Sequence, residues 1–349
     1  MKYMCKFVCN ICGAWNSRKN PQIDREAASC AQCLSSVRYR SIIHLLTNEL
    51  FGRSMTLQEV PKLKQVRGLG MTDWWGYDGI LSDRFTYSNT FYDREPRLDI
   101  LHPGPEHTGQ YDFILSSEVF EHVHPPVEEA FATVVRLLKP NGFFILTVPY
   151  VADEDVTVEH FPSLNDYKIV EIGDEFVLVN RTKEGPLETF RDLKFHGGPG
   201  NTLELRLFGE RDLERKLLAA GFRETAVLKE NNAQFGVQWH EPWSRPIIAR
   251  KERFGFPSLL VWELAHKVGS LEDALAEEAQ GGKPAEIEPG SPSMGTLDAL
   301  RKHQELVLRY DKLAEDFSTL RKQVAMASRS RWLALGRMLG IGPHFDDQG

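Results

Sequence analysis

The sequence predicts an α/β chain built on a doubly wound, mainly parallel sheet, and three observations predict it. Apolar runs of strand length recur at "LKQVRGLGM", "YDFILSS" and "FFILTVP". Amphipathic runs of helix length lie between them, and short turns join the two. At 349 residues and 42% hydrophobic, the chain can bury one core of ordinary α/β size and carry small modules besides.

All five cysteines fall in the first 33 residues, and four of them form Cys9-x-x-Cys12 and, 17 residues on, Cys30-x-x-Cys33. Each pair turns two thiolates toward one centre, so the two complete a closed tetrahedral zinc site with no open position for chemistry. This predicts a structural zinc ribbon over residues 1–40. The spacing and the lack of cysteine elsewhere disfavour disulfides. Cys5 is a bystander. Arg18, Lys19, Arg38 and Arg40 could meet a phosphate, but scattered surface charge is the better account of them.

The main domain spans 41–253. "RYRSIIHLLTNELF" sets Ile42, Ile43, Leu45, Leu46 and Leu50 at helical spacing. A strand ends in Gly68-x-Gly70, "WWGYDGILSDRF" forms a helix, "YSNTFY" is a strand, and "RLDI" carries Asp99. The strand "YDFILSS" then opens into "EVFEHV", where a helix would put Glu118, Glu121 and His122 on one face. "PVEEAFATVVRLLKPNG" is helical up to Lys139-Pro140-Asn141-Gly142, and "FFILTVP" is a buried strand. Residues 166–201 break the alternation: "KIVEIG" and "EFVLVNR" predict an inserted hairpin near the substrate side, closed by "HGGPG". "GERDLERKLLAAGF" is a helix ending at Gly221, and "RETAVLKE" and "RPIIARKE" are late strands.

Beyond the sheet, 254–279 reads as a helical extension and 280–295 as a flexible linker. In 296–327, Leu306, Tyr310, Leu313, Phe317, Leu320 and Val324 alternate four and three apart. That seam favours a homo-oligomer through a coiled coil, although a helix packed on its own domain has the same spacing. The tail 328–349 is basic, with Trp332, Leu335 and Leu339 on one side, suited to weak contact with an anionic membrane surface. No run approaches the ~18 apolar residues of a membrane span, and "MKYMCKFVCN" lacks the apolar core of a secretory signal, so a cytoplasmic place is expected. A net charge of -7 argues against general nucleic-acid binding.

A parallel sheet binds ligands at the carboxyl ends of its strands, where glycines let the backbone approach closely. In order, "GLGMTD", "LDI", "YDFILSSEVFEHV", "LLKPNGFFILTVPY" and "LLAAGF" resemble a class I S-adenosylmethionine-dependent methyltransferase over roughly residues 60–251. More narrowly, "SSEVFEHV", "EHFPSL", "FHGGPGNTLELRLF" and the ribbon resemble methyltransferases found with polysaccharide-biosynthesis glycosyltransferases. The resemblance implies a seven-stranded Rossmann-like sheet and S-adenosylmethionine as cofactor. It implies that Gly68, Gly70 and Thr72 touch the methionine moiety, Asp99 and Ile100 the adenine, and that Ser117 and Glu118 border the sulfonium. Thr72 stands where the family has a third glycine, and Asp93 and Glu95 are both candidates for the ribose acid.

Methyl transfer then needs alignment and removal of an acceptor proton. Glu118, Glu121, His122 and His160 could hold one hard divalent ion such as magnesium, an arrangement similar to that of ubiquinone-pathway and small-RNA O-methyltransferases. The simpler reading has Glu121 and His122 capping a helix while an imidazole acts as base. His124 and His196 are further pocket candidates. The resemblance points to O-methylation of a saccharide or saccharide-lipid, with a small metabolite as second choice. The rival is a non-catalytic scaffold of a cell-envelope polysaccharide pathway.

Overall fold

In a computed structural model, which describes residues 4–19, 24–173, 175–198 and 200–252, the chain begins with an antiparallel hairpin. Its strands β1 (Met4–Val8) and β2 (Trp15–Lys19) are joined by the turn that carries Cys9 and Cys12. The second cysteine pair leads directly into α1 (Val37–Phe51). The predicted helical extension, linker, heptad segment and basic tail lie outside the described residues.

The sheet is laid down by β3 (Leu63–Met71), α2 (Trp75–Arg84), β4 (Phe85–Thr90), β5 (Tyr111–Ser117), α3 (Val127–Leu137) and β6 (Leu138–Thr147). Short β7 (Tyr150–Val151) and β8 (Val158–Glu159) lead to β9 (Asp166–Ile172), β10 (Glu175–Arg181) and β11 (Leu187–Phe190). Then come β12 (Phe195–His196), β13 (Thr202–Leu203), β14 (Arg206–Gly209), α4 (Glu210–Ala220), β15 (Glu224–Val227) and β16 (Ile247–Arg250).

The central sheet runs β15-β16-β6-β5-β3-β4. Strands β4, β3, β5 and β6 are mutually parallel, and β16 lies antiparallel between β6 and β15. Phe113, Ile114 and Leu115 are all fully buried, as a strand covered on both faces requires. On one face Phe131, Val134 and Leu137 of α3 pack with Phe120, Phe144 and Leu146. The doubly wound architecture is therefore as predicted, but among the described residues the sheet has six strands where seven were expected. "RLDI" contributes only a single bridge, Phe91 to Arg97. Pro96 and Pro103 have no N–H to give a ladder, and the Asp99 carboxylate accepts from Leu101 N (2.9 Å) to make a turn.

From β3 the chain moves outward to β4 and then returns across to β5, so strand order reverses between β3 and β5. The crevice at their carboxyl ends is the expected ligand site of such a sheet. Gly68 and Gly70 lie inside β3 rather than in a loop beyond it. A Cβ on Gly68 would come within 2.2 Å of the Phe113 ring. Gly68 is therefore a packing residue, its missing side chain making room for the Phe113 ring.

The helix expected at "EVFEHV" is a single 3-10 turn, Phe120–His122. Glu118 takes a left-handed conformation, φ +57°, which stops β5, and α3 starts only after Pro125 and Pro126. Glu118 consequently does not share a face with Glu121 and His122. The predicted hairpin is present as β9 and β10, and β11 extends it to three antiparallel strands. Phe161, Leu164, Leu178, Leu203 and Leu205 form its own small core.

Arg38 and Arg40 are buried, against their reading as surface charge. Arg40 donates to Ser35 O (2.7 Å), Ser29 Oγ (2.7 Å), Phe235 O (3.0 Å) and Gly236 O (3.0 Å). It ties the second cysteine pair to the connection between β15 and β16. No helix among the described residues is long and apolar enough to cross a membrane.

Gly68→Ala should destabilise the fold by about 1–3 kcal/mol through overpacking, and Phe113→Leu in the same chain should recover part of that loss. Urea unfolding of the single and double variants checks this. A double variant less stable than the sum of the single changes would contradict the packing role.

Candidate active site and cysteine cluster

The four cysteine sulfurs lie within 4.8 Å of one another. Cys9 Sγ is 3.6 Å from Cys33 Sγ, and Cys12 Sγ is 3.6 Å from Cys30 Sγ. A disulfide would need ~2.0 Å, whereas zinc at ~2.3 Å from each sulfur of a tetrahedron spaces them by ~3.8 Å. The donor set therefore fits zinc. Left-handed Gly13 (φ +73°) and Leu34 (φ +63°) allow the two tight bends, closed by Gly13 N to Cys9 O (2.8 Å) and Leu34 N to Cys30 O (3.1 Å). The Cys33 thiol beside it draws the Cys9 thiol down to about 4.

The crevice between β3 and β5 is lined by residues that the sequence reading largely missed. Asp73, three residues past Gly70, is buried. Its N–H donates to Asn89 Oδ1 (2.9 Å), and the Tyr87 hydroxyl donates to Oδ2. Oδ1 has no partner. Burial pushes this carboxyl up to about 7. A Cβ on Gly70 would stand 2.0 Å from Tyr87 Oη and 2.6 Å from Asp73 Oδ2, so Gly70 makes room for that pair. Thr72, at φ +54°, donates its N–H to Thr90 O (2.7 Å). Trp74 stacks on Tyr39 at 4.4 Å and 8°.

Two arginines from the cysteine-bearing segment close the crevice at the end of β5. Arg25 donates to Glu118 Oε1 (2.6 Å), to Ser244 O (2.9 Å) and to Glu26. Arg38 donates to both oxygens of Glu26 (2.6–3.0 Å) and to Ser117 Oγ. Ser117 also shares a hydrogen bond with Thr147 (3.0 Å). Burial opposes the charge on Glu118, yet the Arg25 and Arg38 guanidiniums hold its carboxyl below the usual range. Glu118 is thus an ion-pair partner, and its expected place among the ligands of a divalent ion is corrected.

Of the remaining expected cofactor residues, Ile100 is buried in the main core with Leu98, and packing accounts for it. Asp99 is half-buried beside a shallow depression lined by Arg97, His102 and Glu106. Asp93 and Glu95 are exposed in the segment after β4.

Glu121 is fully buried, and neither of its carboxylate oxygens has a hydrogen-bond partner. Oε1 lies 3.6 Å from His122 Nε2 and 3.5 Å from His196 Nδ1, and these two nitrogens are 3.0 Å apart. His122 donates from Nδ1 to Leu203 O (2.7 Å), and His196 donates from Nε2 to Glu204 Oε2 (2.9 Å). His160 donates to the other oxygen of Glu204 (3.0 Å). His160 is therefore one step removed from Glu121, and the metal-capable group is Glu121, His122 and His196. Burial raises the Glu121 carboxyl well above its ordinary range, and the Glu118 charge adds to this. Burial also lowers the His122 imidazole, leaving it neutral. The hydrogen bond from His160 lowers the Glu204 carboxyl, keeping it charged. His124 turns away toward Pro125 O (3.0 Å).

Asp73 carries one local signal, an acid placed just past the carboxyl end of the first parallel strand. Glu204, Arg25 and Glu26 carry no local signal, because the insertion and the cysteine segment reach the crevice only in three dimensions.

Residues 70–227 match the family model described as a methyltransferase domain. No curated protein matches the sequence. Among solved structures the chain is similar to the methyltransferase (CMeT) domain of citrinin polyketide synthase, with 14% identity and TM-score 0.33, over 56% of this chain and 49% of that one. It is also similar to the aminopentose methyltransferase of calicheamicin biosynthesis from Micromonospora echinaspora, with 12% identity and TM-score 0.35, over 62% and 92%. A third is the sugar N-methyltransferase of a Streptoalloteichus species, with 10% identity and TM-score 0.34, over 60% and 85%. The chain spans about half the length of the citrinin synthase structure. The matched residues run from Gly70 in β3 to Val227 in β15.

The Asp73 carboxyl, near 3.8 in an unfolded chain and about 7 here, keeps a proton between those values that the unfolded chain has released. Its contribution to stability therefore falls as pH rises from about 4 to 7. Asp73→Asn should stabilise the ligand-free protein at pH 8, by at most roughly 4 kcal/mol, and change little at pH 4. Melting curves at the two pH values check this, and a variant no more stable at pH 8 would contradict it.

Proposed function

We propose that the protein is an S-adenosylmethionine-dependent methyltransferase that methylates a hydroxyl group, and that the acceptor is a saccharide or saccharide-lipid. The carrying observation is the buried, unpartnered Glu121 carboxylate facing two imidazole nitrogens beside the crevice of a methyltransferase domain. The saccharide class rests on the motif resemblance of "SSEVFEHV", "EHFPSL" and "FHGGPGNTLELRLF". A small-metabolite hydroxyl would use the same groups.

The orphaned Asp73 Oδ1 at the carboxyl end of β3 fits an ammonium-bearing cofactor. When bound, the cofactor supplies a methyl group already activated on its sulfonium. The protein's tasks are to align the acceptor and take its proton. His122 is fixed by its Nδ1 bond to Leu203 O, so its Nε2 lone pair faces the site. A proton accepted at Nε2 is shared with His196 Nδ1, and the charged Glu204 bonded to His196 Nε2 offsets it. His160 orients Glu204 from behind.

One carboxylate and two imidazoles, with a carbonyl and a carboxylate holding the far ring nitrogens, also fit a divalent ion of the zinc, manganese or iron type better than magnesium. Such an ion would polarise the acceptor hydroxyl. The four cysteines hold a structural zinc.

Calorimetric titration of the purified protein with S-adenosylmethionine should give saturable one-site binding, and cofactor at ~100 times its Kd should stabilise the fold by ~2.7 kcal/mol. Glu121→Gln should keep cofactor affinity within about twofold while lowering turnover of a saccharide hydroxyl acceptor at least ~100-fold. No binding would leave a scaffold. Elemental analysis should find one zinc per chain, lost in Cys30→Ser together with a lower Tm. A chain free of zinc with an unchanged Tm would refute the zinc role.

A further inference from the structure

Arg25 and Arg38 have side chains only 12% and 10% exposed, and both close on one carboxylate, Glu26, which is 48% exposed. Arg38 holds both oxygens of Glu26 through Nε and Nη2, at 2.6–3.0 Å. Bidentate pairing of this kind is how a guanidinium recognises a ligand carboxylate. The other side-chain hydrogen-bond partners of the two arginines, Glu118, Ser117, Ser244 O and the Tyr39 hydroxyl (3.4 Å), are buried or half-buried. Glu26 is thus the one exchangeable member. Its departure would leave two guanidiniums facing Glu118 alone, an excess of one positive charge at the crevice. Asp73, whose carboxylate feels the Arg38 charge, keeps Oδ1 buried and unpartnered.

Resting on the methyltransferase reading above, we propose that this cradle binds the α-amino-acid end of the cofactor. Arg38 and Arg25 receive its carboxylate, Asp73 receives its ammonium group, and Glu26 is a resident stand-in that the ligand carboxylate displaces. The cysteine-bearing segment, which supplies Arg25 and Glu26 and leads directly into Arg38, is then part of the cofactor site. Arg40 and the stacked Tyr39–Trp74 pair keep it in place.

The test compares S-adenosylhomocysteine with its decarboxylated analogue by calorimetry, on the zinc-replete full chain. Wild type should prefer S-adenosylhomocysteine at least tenfold. Arg38→Lys should weaken S-adenosylhomocysteine at least tenfold and the analogue less than twofold, a difference that general misfolding would not create. Glu26→Gln should tighten S-adenosylhomocysteine several-fold and leave the analogue unchanged.

Equal weakening of both ligands in Arg38→Lys, or no gain in Glu26→Gln, would overturn the proposal while leaving the cofactor reading intact. Unchanged S-adenosylhomocysteine binding in Arg38→Lys, with a raised KM for a phosphorylated acceptor only, would assign the cradle to the acceptor's anion and overturn it too. Failure of wild type to bind either ligand would remove the methyltransferase reading itself, and this proposal with it.

Discussion

The contact between Gly68 and the Phe113 ring governs this molecule. The two residues face each other in register across β3 and β5, and the missing side chain of one makes room for the aromatic ring of the other. Strand order reverses at this pair, so the segments leaving its carboxyl ends diverge and open the crevice. Asp73 leaves from β3, and Ser117, Glu118 and Glu121 leave from β5. The acids that β3 and β5 lead into are placed by that divergence, while Glu204 and the arginines arrive from the insertion and the cysteine-bearing segment.

Glu118 and Glu121 stand three positions apart yet have opposite electrostatics. Left-handed Glu118 turns its carboxylate onto Arg25, with Arg38 nearby, and their charges outweigh the effect of burial. Glu121, one 3-10 turn on, is buried with no donor on either oxygen, and burial dominates. An unpaired carboxylate in such surroundings is tolerated when a proton or cation shares the site. The facing nitrogens of His122 and His196 supply the geometry for either.

The N-terminal segment works by the same logic. Its hairpin and second cysteine pair gather four sulfurs into one cluster, and buried Arg40 ties that cluster to the loop before β16. Arginines 25 and 38 can then be held nearly dry at the mouth of the crevice, because Glu26 and Glu118 balance their charge. A small cysteine-rich module usually stabilises only itself. Here it also supplies part of the wall of a neighbouring site.

The sequence by itself determined the alternation of strands and helices, the cysteine cluster and the inserted hairpin, because periodicity, residue spacing and turn chemistry are local properties. It also marked Glu121, His122 and His196 as candidates. Only the tertiary structure decided that Glu118 leaves the group, that His160 acts through Glu204, and that "RLDI" adds no strand. It alone brought Arg25, Glu26 and Arg38 to Ser117 and Glu118 across some 80–90 residues of chain. Ion pairing and desolvation depend on what surrounds a charge in space, and linear order does not encode those surroundings.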